Sequence, residues 1–467
     1  MEATGCTGRA QAAAPGCVPW CAAASMLLGL PGLAVTAVTQ ADDGWTVVDV
    51  VTGPDLEEAA RCCPDCGTPA TAVKETVVTT PRDGYLGDRQ VRLRWRKRRW
   101  ACGNGECARK SFTESLPAVP ARARLTARLR TRLGQVIGDE LMPAAAAARR
   151  YRVSDRTAAL AFTAYADVQL ADLDEHADPV EAAGIDEFRR GIPGPARGDG
   201  EARSQWFTHL VDLAAGGTLG LAQGRTGEAG KSLIDGHAAR LRYLAMDLSA
   251  PYRSAAPAGT VLIADAFHLV KLANRKIDEA FRRLSYRTEH SHEDLGLPRP
   301  LHFMLRYNIE NLHPDHLTVI IEALDGDADG QQIAAVWIAK EHLRALLALR
   351  ITKTHVTPAP SQVRDKLAAF YLWCADHHDI PEIKTLAATI EKWQQPVIDA
   401  VLTGYSNAKA EAHNRTAKMV ARTARGFANP DNQARRVRMA TTRAARAGRQ
   451  ARRPQQRRRS RKVARAP

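Results

Sequence analysis

Ala183-Gly184-Ile185-Asp186-Glu187-Phe188 reads as a short apolar strand with an acid set inside it. A carboxylate in that position is costly unless it is functional or reaches solvent. Downstream, Trp206-Phe-Thr-His-Leu-Val-Asp212, a Gly216-Gly217 turn and Thr218-Leu-Gly-Leu-Ala222 predict a hairpin. Lys231–Arg242 predicts a helix. Tyr243-Leu-Ala-Met-Asp247-Leu-Ser249 is a strand ending in a second acid, and Thr260-Val-Leu-Ile-Ala-Asp265-Ala-Phe-His268 is a further strand running into a long helix.

Three strands, a helix, a strand, a helix and a strand is the order of a ribonuclease-H-like α/β fold. In it the first and fourth strands lie side by side and parallel, so Asp186 and Asp247 would converge at one edge. A third carboxylate is expected from a later helix, and Tyr405-Ser-Asn-Ala-Lys-Ala-Glu411-Ala-His-Asn414-Arg-Thr-Ala-Lys418 supplies one. Ser406 or Asn407 can cap this helix, which runs to Arg425 with Gly426 as its stop. Glu411, Asn414 and Lys418 fall at i, i+3 and i+7 and share a face. Carboxylates sharing a pocket repel unless they share cations, so Mg²⁺ or Mn²⁺ is implied. Two such ions about 3.5–4 Å apart suit phosphodiester displacement.

Upstream, Cys63-Pro-Asp-Cys66 and Cys102-Gly-Asn-Gly-Glu-Cys107 offer four thiolates in two short loops, the pattern of a structural Zn²⁺ site. Cys62 competes with Cys63 for the ion. Between the pairs runs Val91-Arg-Leu-Arg-Trp-Arg-Lys-Arg-Arg-Trp100, whose Arg94, Arg96, Lys97, Arg98 and Arg99 suggest a DNA-facing strand. Pro143 to Tyr151 predicts a short helix, and Ser154 caps a second one through Ala166. This is a helix-turn-helix arrangement, with Ser154, Arg156 and Thr157 placed to read DNA.

The 467 residues carry a net charge of +15, with 45% hydrophobic and 6% aromatic residues, which excludes a disordered chain or a small disulfide scaffold. Gln433 to Pro467 hold 14 Lys and Arg and no acid, so nearly all the net charge sits in a basic tail suited to a polyanion. The apolar run Cys17–Val38 is broken by Gly29, Pro31 and Gly32, so it reads as an extension followed by a β unit from about Met26, with no membrane partner and a cytoplasmic, nucleoid-associated location. Trp337, Trp373 and Trp393 fall on helices of a long helical stretch. Most should be core, with one available to stack on an unpaired base.

These features together resemble an insertion-sequence transposase of the ISL-three family. The resemblance is carried by Leu27-Leu-Gly-Leu-Pro31, Cys63-Pro-Asp-Cys-Gly67 with Cys102 and Cys107, Ile185-Asp-Glu187, Asp265-Ala-Phe-His268, Ser406-Asn-Ala with Glu411 and Asn414, and Arg425-Gly-Phe427. It implies an α/β ribonuclease-H-like catalytic domain with an all-helical insertion, preceded by a small zinc-binding β module and a helix-turn-helix. It also implies a DNA transposase that binds terminal inverted repeats, cleaves at the element ends and joins the 3′ ends to target DNA, working at least as a dimer. Asp186 and Glu411 would be the first and third acids. Strand order favours Asp247 as the second, while Asp265 lies in the more recognisable motif. With Asp247 chosen, Asp265, His268, Asn414 and Lys418 form a supporting shell. The expected divisions are an extension over 1–25, β hairpin and zinc module over 26–115, helix-turn-helix over 116–172, core over 180–285, insertion over 286–400, catalytic helix over 401–432 and basic tail over 433–467.

Overall fold

The computed structural model describes residues 20–190, 205–286, 291–427 and 429–448. The start of the expected extension, through residue 19, and the end of the basic tail, from residue 449, lie outside the described residues. The chain forms two compact units, one of residues 1–172 with 423–425, the other of 173–422 with 426–467.

In the first unit a six-stranded sheet is built around one long strand. β1 (Leu33–Gln40) and β2 (Trp45–Thr52) form a hairpin, β3 (Val73–Thr79) and β4 (Arg82–Leu86) follow, and β5 (Arg89–Ala101) pairs with β2, β3, β4 and β6 (Ser111–Thr113). Strand periodicity explains β5: Val91, Leu93 and Trp95 point into the core while Arg92, Arg94, Arg96 and Arg98 alternate outward. Where the sequence suggested strand from about Met26, residues Ala22–Leu28 form a helix. The alanines favour it, and Gly29 ends it in the left-handed conformation at φ 61°. Helices Ala127–Gly138, Ala144–Arg150 and Asp155–Glu175 follow the sheet.

The second unit contains β7 (Ala182–Arg189), β8 (Trp206–Asp212), β9 (Thr218–Gln223), β10 (Tyr243–Met246) and β11 (Val261–Ala264), in the order β11-β10-β7-β8-β9. β7, β8 and β9 are antiparallel neighbours; β10 runs parallel to both β7 and β11. The helix expected over Lys231–Arg242 instead spans Gly227–Ile234, because Thr226 caps it and Asp235–His237 tightens into a 3₁₀ turn.

Beyond the Ala266–Arg283 helix, helices Pro314–Asp325, Ala328–Ala348, Pro360–Asp376, Pro381–Lys392 and Gln394–Thr403 share one continuous apolar core with the sheet. Trp337 and Trp393 are buried there, and the half-buried Trp373 donates its Nε1–H to the Ala335 carbonyl at 3.0 Å and stacks on His377. The Ala408–Thr423 helix comes next. The basic stretch from Gln433 does not begin as a free arm: helix Pro430–Thr441 buries Gln433, Arg436, Val437 and Met439 and packs on β9. Asn429 caps it, Pro430 opens it, and the apolar Val437 and Met439 give it an inward face. No helix is long and apolar enough to cross a membrane.

Among the described residues from Pro314 to Thr403, one cation is buried. Lys340 is fully buried and donates from Nζ to the carbonyls of Leu305 and Tyr307 at 2.6 and 2.9 Å. Lys340→Met leaves both acceptors without that donor and is expected to lower the unfolding free energy by about 2–3 kcal/mol in urea titrations.

Candidate functional site

The thiols converge first. The sulfurs of Cys63, Cys66, Cys102 and Cys107 all lie within 4.8 Å of one another, with Cys66 and Cys102 at 3.6 Å. Tetrahedral zinc with Zn–S bonds of about 2.3 Å requires S···S separations of this order. The loops are tight. Gly67 sits at φ 70°, and a Cβ on Gly103 would meet the Pro69 carbonyl oxygen at 2.3 Å. Trp100 and Phe112 pack against the cluster. Cys62 turns its thiol to the Glu58 carbonyl, which resolves the choice in favour of Cys63. Hydrogen bonds from Thr68 lower the Cys66 thiol to about 6, while the neighbouring Cys102 and Cys107 thiols are raised, so the thiolate character of the cluster is carried by Cys66.

The basic strand is less available to a polyanion than its sequence suggests. Arg94 is paired with Asp49, Arg98 with Glu57 and Glu114, and Arg99 with Glu75. Lys97 is buried beside the Trp95 ring, and burial lowers its pKa. Arg96 is exposed. Ser154 does cap the Asp155–Glu175 helix, accepting the Thr157 N–H at 3.2 Å, and Arg156 is exposed on its first turn. Ser154 and Thr157 share a cavity of about 800 Å³ with Arg82, Arg92, Lys97, Arg122 and Arg124. Arg82, Arg122 and Arg124 escaped the sequence reading, since they lie outside the basic run of β5.

The carboxylates gather around β7. Asp186 is 7% exposed. Its Oδ1 accepts the Glu187 N–H at 2.7 Å and its Oδ2 accepts Asn414 Nδ2–H at 2.8 Å. Burial raises its pKa to about 6, and the Asp247 charge pushes the same way. Asp247, just past β10, is also raised by burial, and its buried Oδ1 has no hydrogen-bond partner among the described residues. An orphaned carboxylate oxygen beside a second buried carboxylate is the donor chemistry that a hard cation takes.

Asp265 is differently employed. Its Oδ1 accepts the Asn407 backbone N–H at 3.0 Å, and its Oδ2 faces His268 Nδ1 at 3.1 Å. Burial alone would raise this carboxyl, but the bonds from His268 and Asn407 outweigh it and hold it below the usual range. His268 is raised in turn by Asp265. Asn407 also donates to the Ile185 carbonyl at 2.9 Å, tying the start of the Ala408–Thr423 helix to β7. Gly184 permits this approach, because a Cβ there would lie 2.3 Å from Asn407 Oδ1. A glycine inside a strand was the available sign of that close contact.

Glu411 lies one turn before Asn414, is partly exposed and pairs with Arg415 at 2.8 Å. It opens with Asp265, Arg350 and Lys353 onto a cavity of about 320 Å³. Among the described residues, the four cysteines are the one group of three or more such ligands drawn within 4.8 Å, so the carboxylate set is more open. Lys418 is exposed and stands apart from this network. Seven residues keep it on the Glu411 face but carry it about 10 Å along the axis.

Residues 195–437, slightly over half of the chain, match the ISL3-type DDE transposase family, and residues 59–107 match the zinc finger of the transposases IS204, IS1001, IS1096 and IS1165. No curated protein matches the chain. The zinc-finger match and the four-sulfur cluster agree on a structural Zn²⁺.

Cys63→Ser is expected to lose bound zinc, whereas Cys62→Ser should keep it; atomic absorption on both purified variants checks the assignment. A second outcome concerns stability. The folded Asp186 carboxyl titrates near 6, above the unfolded value of about 3.9, so its stabilisation is complete below pH 4 and lost as pH rises through 6. Asp186→Asn should therefore raise the stability of protein stripped of divalent cations at pH 8, by on the order of 2–3 kcal/mol. Thermal unfolding at pH 8 and pH 4 reads it, and the gain should vanish at the lower pH.

Proposed function

From the premise that the chain belongs to the ISL3 family of transposases, we propose that it binds the terminal inverted repeats of its element, cleaves phosphodiester bonds there and joins the freed 3′ ends to target DNA. The observation that carries this reading is the parallel β7–β10 pair, which brings Asp186 and the orphaned Asp247 into each other's field. The strand order β9-β8-β7-β10-β11, antiparallel then parallel, is that of a ribonuclease-H-like sheet.

Asp186, Asp247 and Glu411 would hold two Mg²⁺ or Mn²⁺ ions, with Glu411 swinging from Arg415 to do so. Such ions activate a water or 3′-hydroxyl and stabilise the leaving oxygen. Asp186 is presented with each oxygen held by one hydrogen bond. Asp265 and His268 act differently, fixing the entry of the Ala408–Thr423 helix through Asn407 and so placing Glu411. Asp247 keeps a buried oxygen with no hydrogen-bond partner among the described residues, which supports it as the second acid.

DNA recognition falls to the first unit, with helices Ala144–Arg150 and Asp155–Glu175 as a helix-turn-helix and the arginine-lined groove beside Ser154 holding phosphates. Two ends must be brought together, so at least a dimer is the working form.

Purified protein, labelled inverted-repeat DNA and Mg²⁺ test the reading. Asp186→Asn and Asp247→Asn should each lower cleavage by at least about 1,000-fold while retaining DNA binding. An active Asp247→Asn variant would transfer the second role to Asp265. Cutting without joining would make the protein a nuclease, and binding without cutting would make it a regulator.

A further inference from the structure

Behind Asp186 lies a chain of buried polar groups for which the acid cluster alone gives no reason. His209, on β8, is paired in register with Asp186 and completely buried. Its Nδ1 lies 2.8 Å from Asn414 Oδ1, and its Nε2 lies 2.7 Å from Thr218 Oγ1 on β9. Thr218 is 2% exposed and receives the hydroxyl of Thr441, on the Pro430–Thr441 helix, at 2.9 Å. Phe188 holds the imidazole edge-on, with ring centroids 5.9 Å apart.

Donor and acceptor rules give this chain a direction. Asn414 Nδ2 faces two acceptors on β7, Asp186 Oδ2 at 2.8 Å and the Glu187 carbonyl at 3.4 Å. The amide nitrogen must therefore point to β7 and the amide oxygen to His209. An oxygen there requires His209 to carry its proton on Nδ1, which makes Nε2 an acceptor. Thr218 must then donate to Nε2, and its remaining lone pairs face the Thr441 hydroxyl, whose one proton is shared with the Val437 carbonyl, also at 2.9 Å. Burial holds His209 neutral, its pKa lowered to about 4, so a single proton per ring is available and the tautomer is set by its neighbours.

We propose that Thr218 and His209 form a one-directional hydrogen-bond relay that holds the Asn414 amide, and through it the Asp186 carboxylate, in the orientation that accepts a divalent cation. The proposal rests on the assignment of Asp186 as a cation ligand. His209 and Thr218 are positioning residues: neither touches substrate or cation. Reversing either hydrogen bond of His209 would turn the amide oxygen of Asn414 towards the Asp186 carboxylate, setting two acceptors against each other.

Thr218→Val keeps the shape and removes the donor to His209, and Thr218→Ser restores it. Partners that orient a metal ligand typically contribute 10–100-fold to metal affinity. Mn²⁺ titration of the zinc-loaded full chain, followed by electron paramagnetic resonance, should show about 10-fold weaker binding in Thr218→Val and near wild-type binding in Thr218→Ser. Saturating Mn²⁺ should largely recover the cleavage rate of Thr218→Val. Correlation spectra of ¹⁵N-labelled imidazoles should show the Nδ1–H tautomer at His209 in wild type and its partial loss in Thr218→Val. Equal Mn²⁺ affinity in wild type and Thr218→Val, or an Nε2–H tautomer in wild type, overturns the relay. A wild-type protein that binds Mn²⁺ but cuts no DNA overturns the functional reading instead, leaving the affinity comparison to judge the relay.

Discussion

Parallel pairing of β7 with β10 is the constraint on which the rest of the second unit depends. It sets Asp186 and Asp247 beside each other in surroundings that penalise charge, and burial raises both carboxyls. A domain selected for stability alone would place apolar residues at both positions. The arrangement persists because β7 is pinned from every side: β8 pairs along its whole length, β10 flanks it, and the amides of Asn407 and Asn414 reach it from a distant helix.

The helices from Pro314 to Thr403 are part of the same core as the sheet, and this explains how a site can span so much sequence. Asn414 and Asp186 are 228 residues apart, yet meet at 2.8 Å. Closing so long a loop has an entropic cost that grows only slowly with length, and the intervening helices offset it by packing on the Ala266–Arg283 helix. Asp265 and Asn407 form the final strap. Asp265 thus carries the more recognisable motif while serving as a fastener, because a residue that holds a helix start is as restricted in identity as one that holds an ion.

In the first unit, alternation along β5 places arginines on one face, but neighbouring strands meet Arg94, Arg98 and Arg99 with acids. Of these pairs, the exposed Arg99–Glu75 pair contributes little to stability, whereas Glu114 is buried. Their consequence is electrostatic: the strand face is largely neutralised, and the cationic surface moves to the groove around Arg82, Arg122 and Arg124 beside the capped helix.

Strand order, the cysteine spacing and the helix that follows Asn407 were all legible in the chain, because periodicity, turn chemistry and metal-ligand spacing are local properties. Asn407 itself turns its amide to Ile185 and leaves its oxygen unpaired among the described residues, where a helix cap was expected. Local patterning also misled where it met competition. The alanines ahead of Gly29 made a helix where a strand was expected, and Val437 and Met439 drew the start of the basic tail onto β9. Which cysteine of an adjacent pair turns inward, which acid keeps a free oxygen, and whether an arginine meets an acid or solvent were decided only by tertiary structure. Each depends on groups brought together across strands and helices, and no spacing along the chain encodes the direction of a hydrogen bond between them.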